Sequence, residues 1–183
     1  MEENQGQPTL VNHAVKWGLI AAGVSIVLTI LCYVIDYTLM VQLKFALLSL
    51  AIFIGIVIYA GIDYRNSQGG FLSYGKAFQH GFLIMAVSGL VGTLFGMLLY
   101  NVIDAELPQK LVDASLDNTR EMLEKFGVPD DKMDEALEKA KADTASRFTI
   151  FGQIKGYLIL LIIVAVISLI TSLFTRKNQP VEV

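Results

Sequence analysis

The residues equipped for chemistry crowd into or near one stretch, "DYRNSQGGFLSYGKAFQHG", residues 63–81. It holds a Ser-x-x-Lys spacing from Ser73 to Lys76, the glycine pair Gly69 and Gly70, and His80, one of two histidines; the other is His13. Ser-x-x-Lys is a spacing in which a lysine can activate a serine nucleophile, but the Ser-Asp-Asn and Lys-Thr-Gly companions of that chemistry are missing. The glycines complete neither Gly-x-x-x-x-Gly-Lys-Ser/Thr nor Gly-x-Gly-x-x-Gly, so they make no phosphate-cradling loop. Two histidines give a His-based metal site little to build from, and His80 reads as an interfacial residue one turn into a helix. Asp36 and Asp104 each close a Val-Ile-Asp ending. Together they could bind a cation or share a proton; the simpler reading is that each ends an apolar run or caps the next helix. Cys32, the lone cysteine, reads as a small packing residue. The sequence assigns no catalytic, cofactor-binding or metal-ligating residue.

The elements that must position these groups are helices of membrane length. Of 183 residues, 54% are hydrophobic; the mean hydropathy is +0.57, outside the usual soluble range. The apolar residues are blocked into four runs, 17–39, 43–62, 77–103 and 151–175. At about 1.5 Å per residue each can cross a hydrocarbon core of about 30 Å as a helix. The aromatics test this count, because Trp and Tyr gather at the two headgroup levels. A four-span path puts Trp17, Tyr59, Tyr64 and Tyr74 on one side and Tyr33, Tyr37, Tyr100 and Tyr157 on the other. The first run is too long for a signal-peptide core, Glu2 and Glu3 precede it, and no small-x-small site follows Tyr37. It is expected to stay in the mature chain. Residues 63–73 then read as a short loop, with Ser73 placed to cap the third helix.

The same loop carries a family likeness. "YRNSQGGFLSYGKAFQHG", then a Gly-rich run, then "MLEKFGVPDDKMDEALEKA" resembles a family of small bacterial four-span membrane proteins catalogued as domain of unknown function 4199. The resemblance runs from about His13 to Arg176. It implies the four-helix architecture and carries no activity and no catalytic residues.

Between the third and fourth runs, residues 104–150 step their apolar positions by three and four: Val112, Leu116, Thr119, Leu123 and Phe126, then Met133, Leu137, Ala140 and Thr144. Gly127 can end one helix, and Pro129 with Asp130 and Asp131 suits the first turn of the next. The expected fold class is therefore an all-α integral membrane protein with four transmembrane helices and an extramembrane antiparallel helical hairpin between helices 3 and 4. Flanking it are a polar tail at 1–16 and a C-terminal tail at 176–183. Each hairpin helix offers about two heptads, so an isolated pair would be marginal. Val112, Leu116, Leu123, Phe126, Met133 and Leu137 form a candidate partner-docking face. Twelve acids outnumber seven basic residues across 104–153, which suits a basic partner. Lys16, Arg65, Lys76, Arg176 and Lys177 lie close to helix ends on the side of both termini, which is read as cytoplasmic in a bacterial inner membrane.

Within the apolar runs the informative residues are small. Ala21, Ser25 and Thr29 make a stripe on the first, and Gly89, Gly92 and Gly96 line the third. Small side chains let backbones approach where no hydrophobic force drives helices together, so these two helices are expected to cross or to line a homodimer. "WGLIAAGVS" and "HGFLIMAVS" align as a faint repeat, Gly18 on Gly81 and Ser25 on Ser88. No charge lies at the centre of any run, which counts against an ion-coupled pump. The sequence thus points to a non-catalytic scaffold or accessory subunit, with an oligomeric pore or carrier as the alternative. Its expected partners are the lipid bilayer, a protein held through 104–150 or a second copy, and no nucleic acid.

Overall fold

The computed structural model describes residues 7–179. Glu2 and Glu3, which bore on the signal-peptide reading, lie outside the described residues. The chain is all-α. Its helices are α1 (Leu10–Ile35), α2 (Leu43–Ser67), α3 (Tyr74–Leu98), α4 (Leu107–Lys125), α5 (Asp130–Phe148) and α6 (Ile150–Thr175). A 3-10 turn, Tyr37–Val41, joins α1 to α2, and a π turn, Leu99–Ile103, extends α3. Four of these elements are long and apolar enough to cross a membrane: Leu10–Ile35, Leu43–Ser67, Tyr74–Ile103 and Ile150–Thr175. Only 17% to 28% of each apolar window is buried inside the chain, so most of that surface faces outward, as bilayer contact requires.

Helix ends differ from the apolar runs because polar residues set them. α1 starts seven residues before Trp17, nucleated by Thr9: its hydroxyl accepts the Asn12 N–H at 3.2 Å and its carbonyl accepts the His13 N–H at 3.0 Å. The helix stops at Ile35, where extended Asp36 caps the 3-10 turn through the Thr38 N–H at 2.9 Å. α2 runs on to Ser67, so Asp63 and Tyr64 are helical rather than part of a loop. It ends where Gly69 and Gly70 take φ of 78° and 87°, conformations that favour glycine, and the Gly70 N–H caps the Arg65 carbonyl at 3.0 Å.

The described chain forms two compact units. The first gathers residues 7–25, 50–92 and 158–179. Its core is Ala14, Val57, Ala60, Ile84, Met85 and Val164, with Phe53, Phe82 and Leu161 packed against it. Backbones approach closely here. A Cβ on Gly18 would stand 2.8 Å from Val87 Cβ and 3.0 Å from the Ile84 carbonyl oxygen, and one on Gly81 would stand 3.0 Å from Ser168 Oγ. α6 supplies a buried hydroxyl row, Ser168, Thr171, Ser172 and Thr175, of which Thr175 stands against Gly61 and Ser168 and Thr171 against Gly81. Ser168 donates to the Phe78 carbonyl at 2.8 Å, so its polar group is satisfied inside the bundle. An isolated antiparallel bridge pairs Leu72 with Lys177.

The second unit holds Ile26–Ser49 and Thr93–Tyr157. Leu99, Leu107 and Leu111 are buried among Tyr33, Met40, Phe95, Tyr100 and Phe148. α4 packs on α5 and on the 3-10 turn. The link between α4 and α5 closes as a Schellman motif: Gly127 has φ of 68°, its N–H reaches the Glu124 carbonyl at 3.0 Å, and the Val128 N–H reaches the Leu123 carbonyl at 3.1 Å. Pro129 then stands at the N-cap of α5, with Asp130 and Asp131 in its first turn.

Candidate functional site

Three polar side chains meet within the first unit, each carried there by a helix end. The Thr9-capped extension of α1 brings His13, the last turns of α2 bring Asp63, and α3, starting at Tyr74, places His80 six residues in, about 9 Å along its axis. His13 Nε2 lies 3.1 Å from Asp63 Oδ2, and His13 Nδ1 lies 2.9 Å from His80 Nε2. The Trp17 indole N–H donates to the same Asp63 oxygen at 3.3 Å. Tyr64 stacks on His80 with ring centroids 4.7 Å apart and planes 8° from parallel, and lies 5.1 Å from His13. His80 is fully buried and His13 nearly so at 7% exposure, whereas the Asp63 side chain is half exposed.

The chemistry follows from which atoms can donate. An ionised carboxylate only accepts, so His13 Nε2 carries a proton toward Asp63. A neutral His13 then presents a lone pair at Nδ1, and His80 donates its Nε2 proton to it. His80 Nδ1 is left as a lone pair, and it is buried with no hydrogen-bond partner. An unmatched polar nitrogen in an apolar bundle is costly.

This arrangement corrects two sequence readings. His80, read as an interfacial residue, is fully buried within the chain, where Tyr64 stacks on it and His13 meets its Nε2. Tyr64, placed by the sequence at a headgroup belt, is 4% exposed because it packs with Leu72, Ala77 and Leu10 and stacks on His80, while Tyr59 at 62% does face outward. The available signal was that His13, Asp63 and His80 fall at the same end of a four-span path. It was missed because His13 read as tail and Asp63 as loop.

The other singled-out residues lie apart from this cluster. Ala21 is fully buried; Ser25, Thr29 and Gly89 are half-buried. A Cβ on Gly92 would meet nothing within 4 Å, and one on Gly96 would stand 2.9 Å from Gln153 Oε1 of α6 rather than against α1. The close approach of α1 to α3 occurs at Gly18, and Gly18 and its repeat partner Gly81 both stand at tight contacts. Asp36 and Asp104 are each engaged as caps. Asp104 accepts the Tyr33 hydroxyl at 3.1 Å and the N–H groups of Glu106 and Leu107 at 3.0 Å each, with Lys110 at 3.9 Å. Desolvation pushes its carboxyl up, but those hydrogen bonds and the lysine outweigh it and hold Asp104 below the usual carboxylate value. On α4 and α5, Val112 and Met133 are buried, Leu116, Leu123 and Leu137 are half-buried, and Phe126 is 78% exposed beside Met122 at 50%. Among the described residues no group of three or more His, Cys, Asp or Glu side chains is arranged to hold a metal ion.

Residues 16–177 match the family described as a protein of unknown function, DUF4199. The chain belongs to this family. The match takes in all of α2 to α6, as the resemblance carried by residues 64–81 and 122–140 implied. Asp63 and His80 lie inside the DUF4199 region, and His13 stands three residues before it. No curated protein and no solved structure matches the chain.

Proposed function

We propose that this DUF4199 protein is a non-catalytic multi-pass membrane scaffold or accessory subunit that holds a protein partner through α4 and α5. The observation that carries this reading is the exposed pair Phe126 and Met122 at the end of α4, an apolar tip set among acids on a pair of helices outside the four apolar spans. Large apolar side chains ringed by charge are the usual anchors of a protein contact. A partner with an apolar pocket and a basic rim fits it. The reading as a non-enzyme draws on two contacts: Asp36 and Asp104 are engaged in helix caps, and the one His–Asp pair faces a second histidine rather than a serine or cysteine nucleophile. The proposed setting is a bacterial inner membrane with both termini cytoplasmic and α4–α5 on the opposite side.

The test is purification of the tagged protein from its native membranes, comparing wild type with Phe126→Glu plus Met122→Glu. Both side chains are largely exposed, so the variant is expected to insert and fold normally while losing a stoichiometric partner. An unchanged set of co-purifying proteins would sink the docking reading. The alternative, an oligomeric carrier for a small ion, gains support from the Asp63–His13–His80 chain.

A further inference from the structure

The order Asp63, His13, His80 is a continuous hydrogen-bonded line of proton-exchanging groups with distinct ends. One end, the Asp63 carboxylate, is half exposed; the other, Nδ1 of His80, is enclosed and unpartnered. We propose that these three residues form a one-proton relay running between the carboxylate and the buried Nδ1 of His80. This goes beyond the docking reading and stands whether or not α4–α5 holds a partner.

Each transfer along the line conserves protons. In the resting state Nε2 of each histidine carries the proton, and both Nδ1 atoms are bare. A hydronium proton that reaches the enclosed His80 Nδ1 during a transient opening of the bundle forms an N–H bond there, and His80 releases its Nε2 proton to His13 Nδ1. His13, now carrying both ring protons, is an imidazolium 3.1 Å from the Asp63 carboxylate. Passing its Nε2 proton to Asp63 forms a carboxylic acid, which loses that proton to the surface. One proton enters, one leaves, and both rings are left as Nδ1–H tautomers that must turn over to reset. The path runs equally in reverse from a protonated Asp63.

The surroundings favour one stored proton rather than two. The ionisable groups facing the pair are Asp63 from α2 and each histidine itself, from α1 and α3; Tyr64 contributes a neutral ring, and α6 contributes hydroxyls at Ser168 and Thr171 beside Gly81. One carboxylate balances one imidazolium. A second cation across a 2.9 Å contact has no counter-charge. The loaded proton therefore rests on His13, next to Asp63, while His80 stays neutral with its Nδ1 protonated. Proton uptake turns the enclosed nitrogen from an acceptor into a donor.

Because the chain has only His13 and His80, nitrogen NMR of the full-length protein with labelled histidine, in bilayers over a pH series, reads every state directly. The expected result is uptake of one proton per chain by the pair, with His13 becoming doubly protonated as His80 changes from the Nε2–H to the Nδ1–H tautomer. A His80 Nδ1 that stays bare at every pH, or two rings that load independently with two protons, would overturn the relay. Asp63→Asn removes the outer acceptor and is expected to abolish the linked tautomer change while circular dichroism stays that of the wild type. Survival of the linked change in that variant would also overturn it.

Discussion

Gly18→Ala adds one methyl at the place where α1 and α3 come closest, which makes it a direct test of the packing. The new Cβ would stand 2.8 Å from Val87 Cβ, 2.9 Å from Val87 Cγ1 and 3.0 Å from the Ile84 carbonyl oxygen. None of these is the far end of a flexible side chain, so relief requires the helices to move apart. Overpacking of this kind costs about 1–3 kcal/mol. Alanine returns about 1 kcal/mol of helix propensity over glycine, leaving a net loss of about 0–2 kcal/mol. Gly92→Ala supplies the matched control, since nothing lies within 4 Å of its Cβ position; it is expected to gain up to about 1 kcal/mol from propensity alone. The difference between the two variants, about 1–3 kcal/mol, isolates the contact. Reversible unfolding of each protein in mixed micelles with increasing denaturing detergent measures it. Equal stability of the two variants would refute the close α1–α3 approach.

Other expectations follow from single features. Gly127→Ala forces a side chain into a left-handed conformation at φ of 68° and should cost about 1–2 kcal/mol, read as faster limited proteolysis of the α4–α5 link; an unchanged cleavage rate would contradict the motif. Asp104 is held below its ordinary value in the folded chain, so its contribution is present at neutral pH and is lost as pH falls through that lowered value. The melting temperature of Asp104→Asn should therefore fall less on acidification than that of the wild type, and parallel curves would count against the cap. Asp117→Cys should react with a membrane-impermeant thiol reagent in cells whose outer membrane is permeabilised, against a low background because Cys32 is 6% exposed. Labelling only after lysis would reverse the proposed orientation.

The four spans were readable because a run of about twenty apolar residues has few other uses. Their ends were not, because caps made by Thr9, Asp36 and the Gly69–Gly70 pair are set by hydrogen bonds that hydropathy does not register. That shift of a few residues hid the candidate site: extending α1 back to Leu10 and α2 on to Ser67 is what brings His13 and Asp63 into one cluster with His80. The turn chemistry of Gly127 and Pro129 was legible, since left-handed glycine and N-terminal acids act locally. Helix pairing was harder. Small-residue stripes mark where backbones can approach, but at Gly61 and Gly81 the choice was made by a hydroxyl row on α6, whose partners are more than 80 residues away.

The hydroxyl row also bears on the order in which the chain is made. The contacts that close the first unit join early and late segments: Ser168 to Phe78, Arg65 to the Thr175 carbonyl at 3.4 Å, and the main chain of Leu72 to Lys177 at 2.8 and 2.9 Å. A ribosome has released α1, α2 and α3 long before it reaches Ser168. Throughout that interval the Gly61 and Gly81 faces lack the helix that covers them. Insertion of α6 is thus the step that covers these glycine faces, and a nascent chain arrested before α6 presents Gly61 and Gly81 without the hydroxyls of Thr175 and Ser168 that stand against them.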